Sequence, residues 1–390
     1  MKIKERNVLK MKKMICLILS AVMLLSGVTV MDMKVSAKEL TVSAKSAIVI
    51  DKLTGKVLYE HNAYEKLPMA STTKIMSALL TAESGGIDKR FTVDKDAIKV
   101  EGSSIGLVPG DKVTKRILIY GMLLPSGNDA ANAAAVSVSG SVQKFVQLMN
   151  DKAKALGLSD THFVTPSGLD DDTDEHYSTS YDMARLASFA LDNGIFREIC
   201  GVSSAKLSFG DPPYDRWLVN TNKLLSSLDG VIGVKTGFTD KAGRCLVSAC
   251  ERNGTTLICV TLNDRNDWAD HKAMYEHCFE KCSETKLEYK NDITVPVVGG
   301  VSDYAGCYSP EVRISLPVGE KSKVTAELCI KPFVYAPVLQ KEKTGEVRYY
   351  YKGKQIASSP VFTKLSTAAR LSGDNSVLKS IFDRIKRLLT

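Results

Sequence analysis

Three short segments, far apart in the chain, constrain its fold more than any run of hydrophobic residues: Ser71-Thr72-Thr73-Lys74, Ser126-Gly127-Asn128 and Lys235-Thr236-Gly237. Pro68 disfavours helix just before the first, and Ile75, Ala78, Leu79 and Ala82 then recur at helical spacing until Gly85-Gly86. Ser71 and Lys74 are thereby expected one turn apart on one face of a helix start. A serine hydroxyl is a poor nucleophile unless a base or a favourable field activates it, and an amine one turn away at a helix N-terminus supplies both. Taken alone, the pair reads more readily as a helix cap and a surface lysine. The second segment follows Leu123-Leu124-Pro125 and precedes an alanine-rich helical stretch, so it is placed on a tight turn between helices. The third ends the apolar run Val231-Ile232-Gly233-Val234, which reads as a strand. A fold that uses all three must bring a helix start, a turn and a strand end to one cleft.

The rest of the chain allows this. Ser46 to Ile50 and Val57 to Tyr59 flank Asp51-Lys52-Leu53-Thr54-Gly55-Lys56, a hairpin signal. Residues 87–113 read as short strands and loops, Lys115 to Leu124 and Asp129 to Leu156 as two helices, and 157–180 as loop. The run Asp170-Asp171-Asp172-Thr173-Asp174-Glu175 reads as a solvated surface; calcium is the alternative, without the glycine and terminal glutamate of an EF-hand loop. Ser180 to Leu191 is a further helix, closed by Asn193-Gly194. Strands return at 231–234, 244–249 and 256–262, the last two joined by the Asn253-Gly254 turn. A final helix over 268–283 carries Cys278 and Cys282 at i, i+4. Strand, helices, strands, helix is an α+β plan with one antiparallel sheet built from both ends of the domain. From about Asp292 the pattern becomes alternating and proline-broken, so 38–290 is expected as the main domain and 291–360 as a small β domain.

Both ends of the chain read as special. Lys2, Lys4, Arg6, Lys10, Lys12 and Lys13 precede a mostly apolar stretch from Met14 to Val30, and Val35-Ser36-Ala37 has the small-x-small pattern of a cleavage site. Residues 1–37 are therefore expected as an export signal, with an uncleaved membrane anchor as the alternative. Removing them takes away seven Lys+Arg and two Asp+Glu, so 52 against 44 becomes 45 against 42, a net +3 that argues against nucleic acid as a partner. Eight of nine cysteines remain, an even number that permits disulfides in a domain too large to need them. The five histidines lack ligand spacing, so neither metal nor cofactor is expected. In the tail, 361–390, Val377, Leu378, Ile381, Phe382, Ile385, Leu388 and Leu389 form one apolar face with basic residues opposite. At 1.5 Å per residue this helix spans about 20 Å, too short to cross a bilayer. It suits an anionic membrane interface, or docking on protein.

With these residues in place the chain resembles the D-alanyl-D-alanine carboxypeptidases among the low-molecular-mass penicillin-binding proteins, serine peptidases with S-x-x-K, S-x-N and K-T-G motifs. The likeness includes Pro166-Ser167-Gly168-Leu169, His176-Tyr177-Ser178-Thr179-Ser180-Tyr181-Asp182-Met183-Ala184, Asn220 to Leu225 and Gly233 to Thr239; Ser167 stands where the family pattern has histidine. The resemblance implies a β-lactamase/transpeptidase-like fold and an exported enzyme acting outside the cytoplasmic membrane. It would trim the terminal D-alanine from peptidoglycan stem pentapeptides and be acylated by β-lactams. It further implies Ser71 as nucleophile, Lys74 as base, Ser126 as proton relay and Asn128 as positioning residue. Lys235, Thr236, Gly237 and Phe238 would bind substrate, the backbone N–H of Phe238 joining that of Ser71 in the oxyanion hole, with Arg265 a further candidate for the substrate carboxylate. Two rivals stay open: a class A-like β-lactamase, although Asp170 to Glu175 lacks the E-x-x-L-N pattern, and a non-catalytic wall-binding protein that keeps the fold.

Overall fold

The computed structural model describes residues 40–170 and 173–370. The expected export signal and the amphipathic run 377–389 lie outside them. The first hairpin forms as expected: β1 (Ser46–Asp51) pairs antiparallel with β2 (Val57–His61), and the Asp51 carboxylate accepts from the Thr54 N–H at 2.7 Å to close the turn. Ser71 does not begin an α-helix. It lies in a 3₁₀ turn, Ala70–Thr73, because the Thr72 and Thr73 hydroxyls donate back to the Met69 and Ala70 carbonyls and tighten the chain; α1 (Lys74–Glu83) follows.

A small ribbon of β3 (Phe91–Thr92) and β4 (Lys112–Val113) leads to α2 (Lys115–Leu123), capped by the Thr114 hydroxyl. The single helix expected over 129–156 is two, α3 (Asn128–Ser139) and α4 (Val142–Ala155). Gly140 at φ +84° ends the first, and the Ser141 side chain accepts from the Lys144 N–H to start the second, so a glycine-serine pair outweighs continuous helical periodicity. After α5 (Ser180–Ala190), Asn193-Gly194 starts a helix as well as closing one: the Asn193 side chain accepts from the Ile195 and Phe196 N–H groups at the head of α6 (Gly194–Cys200). The hairpin of β5 (Ser204–Gly210) and β6 (Pro213–Val219), then the single turn α7 (Leu224–Ser227), are elements the sequence pattern did not reveal.

The remaining strands are longer than their apolar cores. They are β7 (Val231–Thr239), β8 (Gly243–Arg252) and β9 (Thr255–Leu262), so Lys235-Thr236-Gly237 lies within a strand and not at its end. The helix α8 (Asp267–Phe279) stops before Cys282, which opens β10 (Cys282–Leu287); Cys278 and Cys282 therefore do not share a helix, and all eight described cysteines are free thiols. The β-rich stretch continues as β11 (Ile293–Val298), β12 (Tyr304–Tyr308), β13 (Val312–Pro317), β14 (Val324–Ile330), β15 (Val334–Tyr335), β16 (Lys343–Tyr351) and β17 (Lys354–Thr363). Past residue 360 the chain stays with this sheet, the Arg370 N–H donating to the Gly299 carbonyl at 2.8 Å.

The fold is α+β. Its central sheet has the order β2-β1-β9-β8-β7, antiparallel throughout, so β7 is an edge strand. Helices α1 to α6 share one apolar cluster with the sheet; Ala130, Ala131, Ala133, Ala134 and Ala135 are all buried, which lets α3 approach α2 and α1 closely. A separate cluster containing Val295, Val297, Val347, Tyr349 and Val361 fills the six-stranded sheet β14-β16-β17-β12-β11-β15. Each fully buried Val or Leu in these clusters contributes about 1.5–3 kcal/mol. No helix of the described residues is long and apolar enough to cross a membrane.

Candidate active site

The Ser71 turn is braced from three sides. Ala70 has φ +48°, a conformation an L-residue adopts only when its surroundings hold it there. The Thr73 hydroxyl donates to the Ala70 carbonyl at 2.7 Å and receives the Nε2 proton of His176 at 2.8 Å, while His176 Nδ1 accepts from the Val164 N–H at 2.9 Å. This pattern fixes the neutral Nε2–H tautomer, and burial holds the imidazole's pKa down at about 4. Gly168 and Gly237 complete the brace. A Cβ on Gly168 would lie 2.0 Å from the Ala70 oxygen, and one on Gly237 3.1 Å from the Ser71 nitrogen.

Within this brace Lys74 is fully buried, and its Nζ has three oxygen neighbours: Ser71 Oγ at 2.8 Å, Asn128 Oδ1 at 2.7 Å and the Ser167 carbonyl at 2.7 Å. Two of these are carbonyl oxygens and only accept. A neutral amine has two N–H donors, one for each carbonyl, and a lone pair, which then points at the one neighbour able to give a proton, the Ser71 hydroxyl. Burial, reinforced by the cation of Lys235, lowers the Lys74 pKa far below that of a free lysine and favours this neutral form. Lys235 is itself buried, its pKa lowered to about 7, and its Nζ donates to the Thr236 carbonyl at 2.8 Å.

Asn128 is oriented from the other side, its Nδ2 donating to the Glu101 carbonyl at 2.6 Å and its backbone N–H to the Ser103 carbonyl at 2.7 Å. Asp129 fixes the same loop by accepting from the Ile105 and Leu107 N–H groups. Ser126 sits at φ +68°, with its hydroxyl buried and without a partner among the described atoms. Ser71, Ser126, Thr236, Gly237 and Phe238 line one cleft of about 520 Å³, so the three segments do converge. Thr221 Oγ1 meets Thr236 Oγ1 at 2.6 Å and ties the cleft's far wall to β7.

A profile of the D-alanyl-D-alanine carboxypeptidase family matches residues 32–266, three-fifths of the chain and all three motifs. The chain is 35% identical to D-alanyl-D-alanine carboxypeptidase DacF of Bacillus subtilis, over 91% of this chain and 94% of that protein. It belongs to the D-alanyl-D-alanine carboxypeptidase family. DacC of Escherichia coli is 33% identical over 82% of this chain and 83% of its own. Among solved structures, penicillin-binding protein 5 of Haemophilus influenzae has a TM-score of 0.60 at 25% identity, covering 84% of this chain and 98% of that one. The Streptomyces K15 DD-transpeptidase has a TM-score of 0.58 at 33% identity, covering 62% and 98%.

Ser167, in place of histidine, works through its backbone carbonyl, which holds Lys74; its side chain takes no part in that contact. Arg265 is exposed in the loop after β9 and is not among the residues lining the cleft, whereas Arg244 on β8 is. Sequence reasoning gave no role to Thr73 and Thr221, although both lie in segments it singled out, and passed over Arg244 and Trp268, because each meets its partners only in the tertiary structure. Among the described residues no three metal-ligating side chains gather in one place.

Proposed function

We propose that this carboxypeptidase works through an acyl-enzyme on Ser71. The Ser71 hydroxyl gives its proton to Lys74 Nζ as its oxygen attacks the carbonyl carbon joining the last two D-alanines of a peptidoglycan stem pentapeptide. The backbone N–H groups of Ser71 and Phe238 receive the oxyanion; losing one such donor typically costs about 10² to 10³ in rate. As the C–N bond breaks, Lys74 returns the proton through the Ser126 hydroxyl to the departing D-alanine. Water then cleaves the ester, with Lys74, neutral again, placed to take its proton. Lys235, Thr236 and Thr221 hold the substrate's terminal carboxylate. The observation that carries the reading is the three-oxygen setting of Lys74, in which a lone pair has one possible donor.

β-Lactams enter as substrate mimics whose acyl-enzyme is slow to leave. The one carboxylate lining the cleft among the described residues, Asp267, is committed to Arg244, which favours slow release over β-lactamase turnover. The division at about residue 290, export by residues 1–37 to the outer face of the membrane or the wall, and attachment through 377–389 complete the proposal. Mass spectrometry of penicillin-treated protein tests it, with expected adducts on Ser71 and D-alanine released from a pentapeptide. Both should vanish in Ser71→Ala while its melting temperature stays near wild type; labelling at another residue, or rapid penicillin turnover without D-alanine release, overturns it.

A further inference from the structure

The cleft does not end at the reacting centre. Beyond Gly237 its wall continues through Phe238, Arg244, Asp267 and Trp268. With the terminal carboxylate at Thr236 and the scissile carbonyl at Ser71, a bound peptide runs antiparallel to the open edge of β7, and each residue toward its N-terminus advances about 3.4 Å toward Thr239. The residue before the two D-alanines thus comes alongside Phe238, whose ring is 63% exposed. Arg244 stands directly across from Phe238 in the β7·β8 ladder, and residues opposed in such a ladder share a face.

The guanidinium of Arg244 is held in place. Its Nε donates to Asp267 Oδ2 at 3.1 Å and its Nη2 to Oδ1 at 2.6 Å, and it lies 5.4 Å from the Trp268 ring. Asp267 is buried, with 3% of its side chain exposed, whereas 43% of the Arg244 side chain is exposed. The clamp uses one edge of the fork; Nη1 has no acceptor among the described residues. A rigid fork with a free donor edge, beside the path of the substrate, is suited to a carboxylate.

We infer that Arg244, oriented by Asp267 and Trp268, forms a subsite selecting stem peptides whose residue before the D-alanines carries a side-chain carboxylate. The inference rests on the carboxypeptidase reading above. Because Asp267 offsets much of the guanidinium charge and the site is open to water, the selection is modest, about tenfold, at the low end for a hydrogen bond between charged groups.

The test compares two pentapeptides that differ by one carboxylate, with diaminopimelyl or lysyl as the third residue, by kcat/KM for D-alanine release. The wild-type ratio is expected near ten, near one in Arg244→Gln and intermediate in Arg244→Lys. A ratio is insensitive to the amount of folded enzyme. If Arg244→Gln fails to fold because Asp267 is left buried and unpaired, the double variant Arg244→Gln/Asp267→Asn removes that charge and should also give a ratio near one. A wild-type ratio near one, or a ratio unchanged by these substitutions, overturns the subsite while the carboxypeptidase reading stands, since both peptides are cleaved. Release from neither overturns both.

Discussion

Gly168→Ala should disable the enzyme from a position that touches no substrate. Gly168 has φ +92°, and an added Cβ would stand 2.0 Å from the Ala70 oxygen, 2.5 Å from its carbonyl carbon and 2.9 Å from the Ser71 nitrogen. All three are backbone atoms, so no side chain can swing aside. Bringing the first contact to the 3.0 Å that real Cβ atoms respect requires a displacement of about 1 Å. The moving parts are the Ser71 turn on one side and, on the other, the loop whose Ser167 carbonyl holds Lys74. A 1 Å error in a reacting group costs about 10² in rate, so penicillin acylation should slow about a hundredfold. An L-residue at positive φ adds about 1–2 kcal/mol of strain, and at roughly 2–4 °C per kcal/mol the strain alone should lower the melting temperature by about 2–8 °C. Gly55→Ala is the control: its φ is +69° but nothing lies within 4 Å of the added Cβ, so strain acts without a clash and acylation should stay at the wild-type rate. Stopped-flow acylation by a fluorescent penicillin, with thermal denaturation in parallel, measures both. Acylation of Gly168→Ala within about threefold of wild type would falsify the account of the brace.

Further outcomes follow from the same geometry. kcat/KM should rise with pH as Lys74 loses its proton and fall above about 7 as Lys235 loses the charge that holds the carboxylate. Because the Lys235 cation lowers the Lys74 pKa, Lys235→Gln should move the rising limb to higher pH, read from pH profiles of penicillin acylation. Thr73→Val cuts the link between His176 and the Ala70 carbonyl; acylation should slow about tenfold with little change in penicillin affinity, and a loss confined to affinity would refute the positioning role. His271, buried between Ser248 and Thr261, has its pKa held at about 3, so between pH 3 and 6.5 the unfolded chain binds the extra proton and stability should rise with pH. Urea unfolding at pH 4 and 7 should show a smaller difference in His271→Gln than in wild type.

The sequence by itself placed Lys74 on a helix, Ser126 on a turn and Lys235 on a strand, because proline, glycine and cap residues act over a few positions and hydrophobic periodicity marks a buried face; it missed the 3₁₀ turn at Ser71 and the opening of α3 at Asn128. The same local rules gave the β1·β2 hairpin and the α+β plan. They failed where two local signals competed, as at Gly140-Ser141, where a cap pair splits an otherwise continuous helix. They also failed at the two-stranded ribbon of β5 and β6: Ala205, Leu207 and Phe209 alternate with polar residues in β5, but β6 buries Arg216 and exposes Tyr214, Trp217 and Val219, which hides the partner strand's pattern. What the tertiary structure alone decided is the chemistry of Lys74. The resemblance already implied burial beside the Lys235 cation; the two carbonyls that claim its protons come from Asn128 and Ser167, 54 and 93 positions further on, and an amine's proton affinity depends on those neighbours in space.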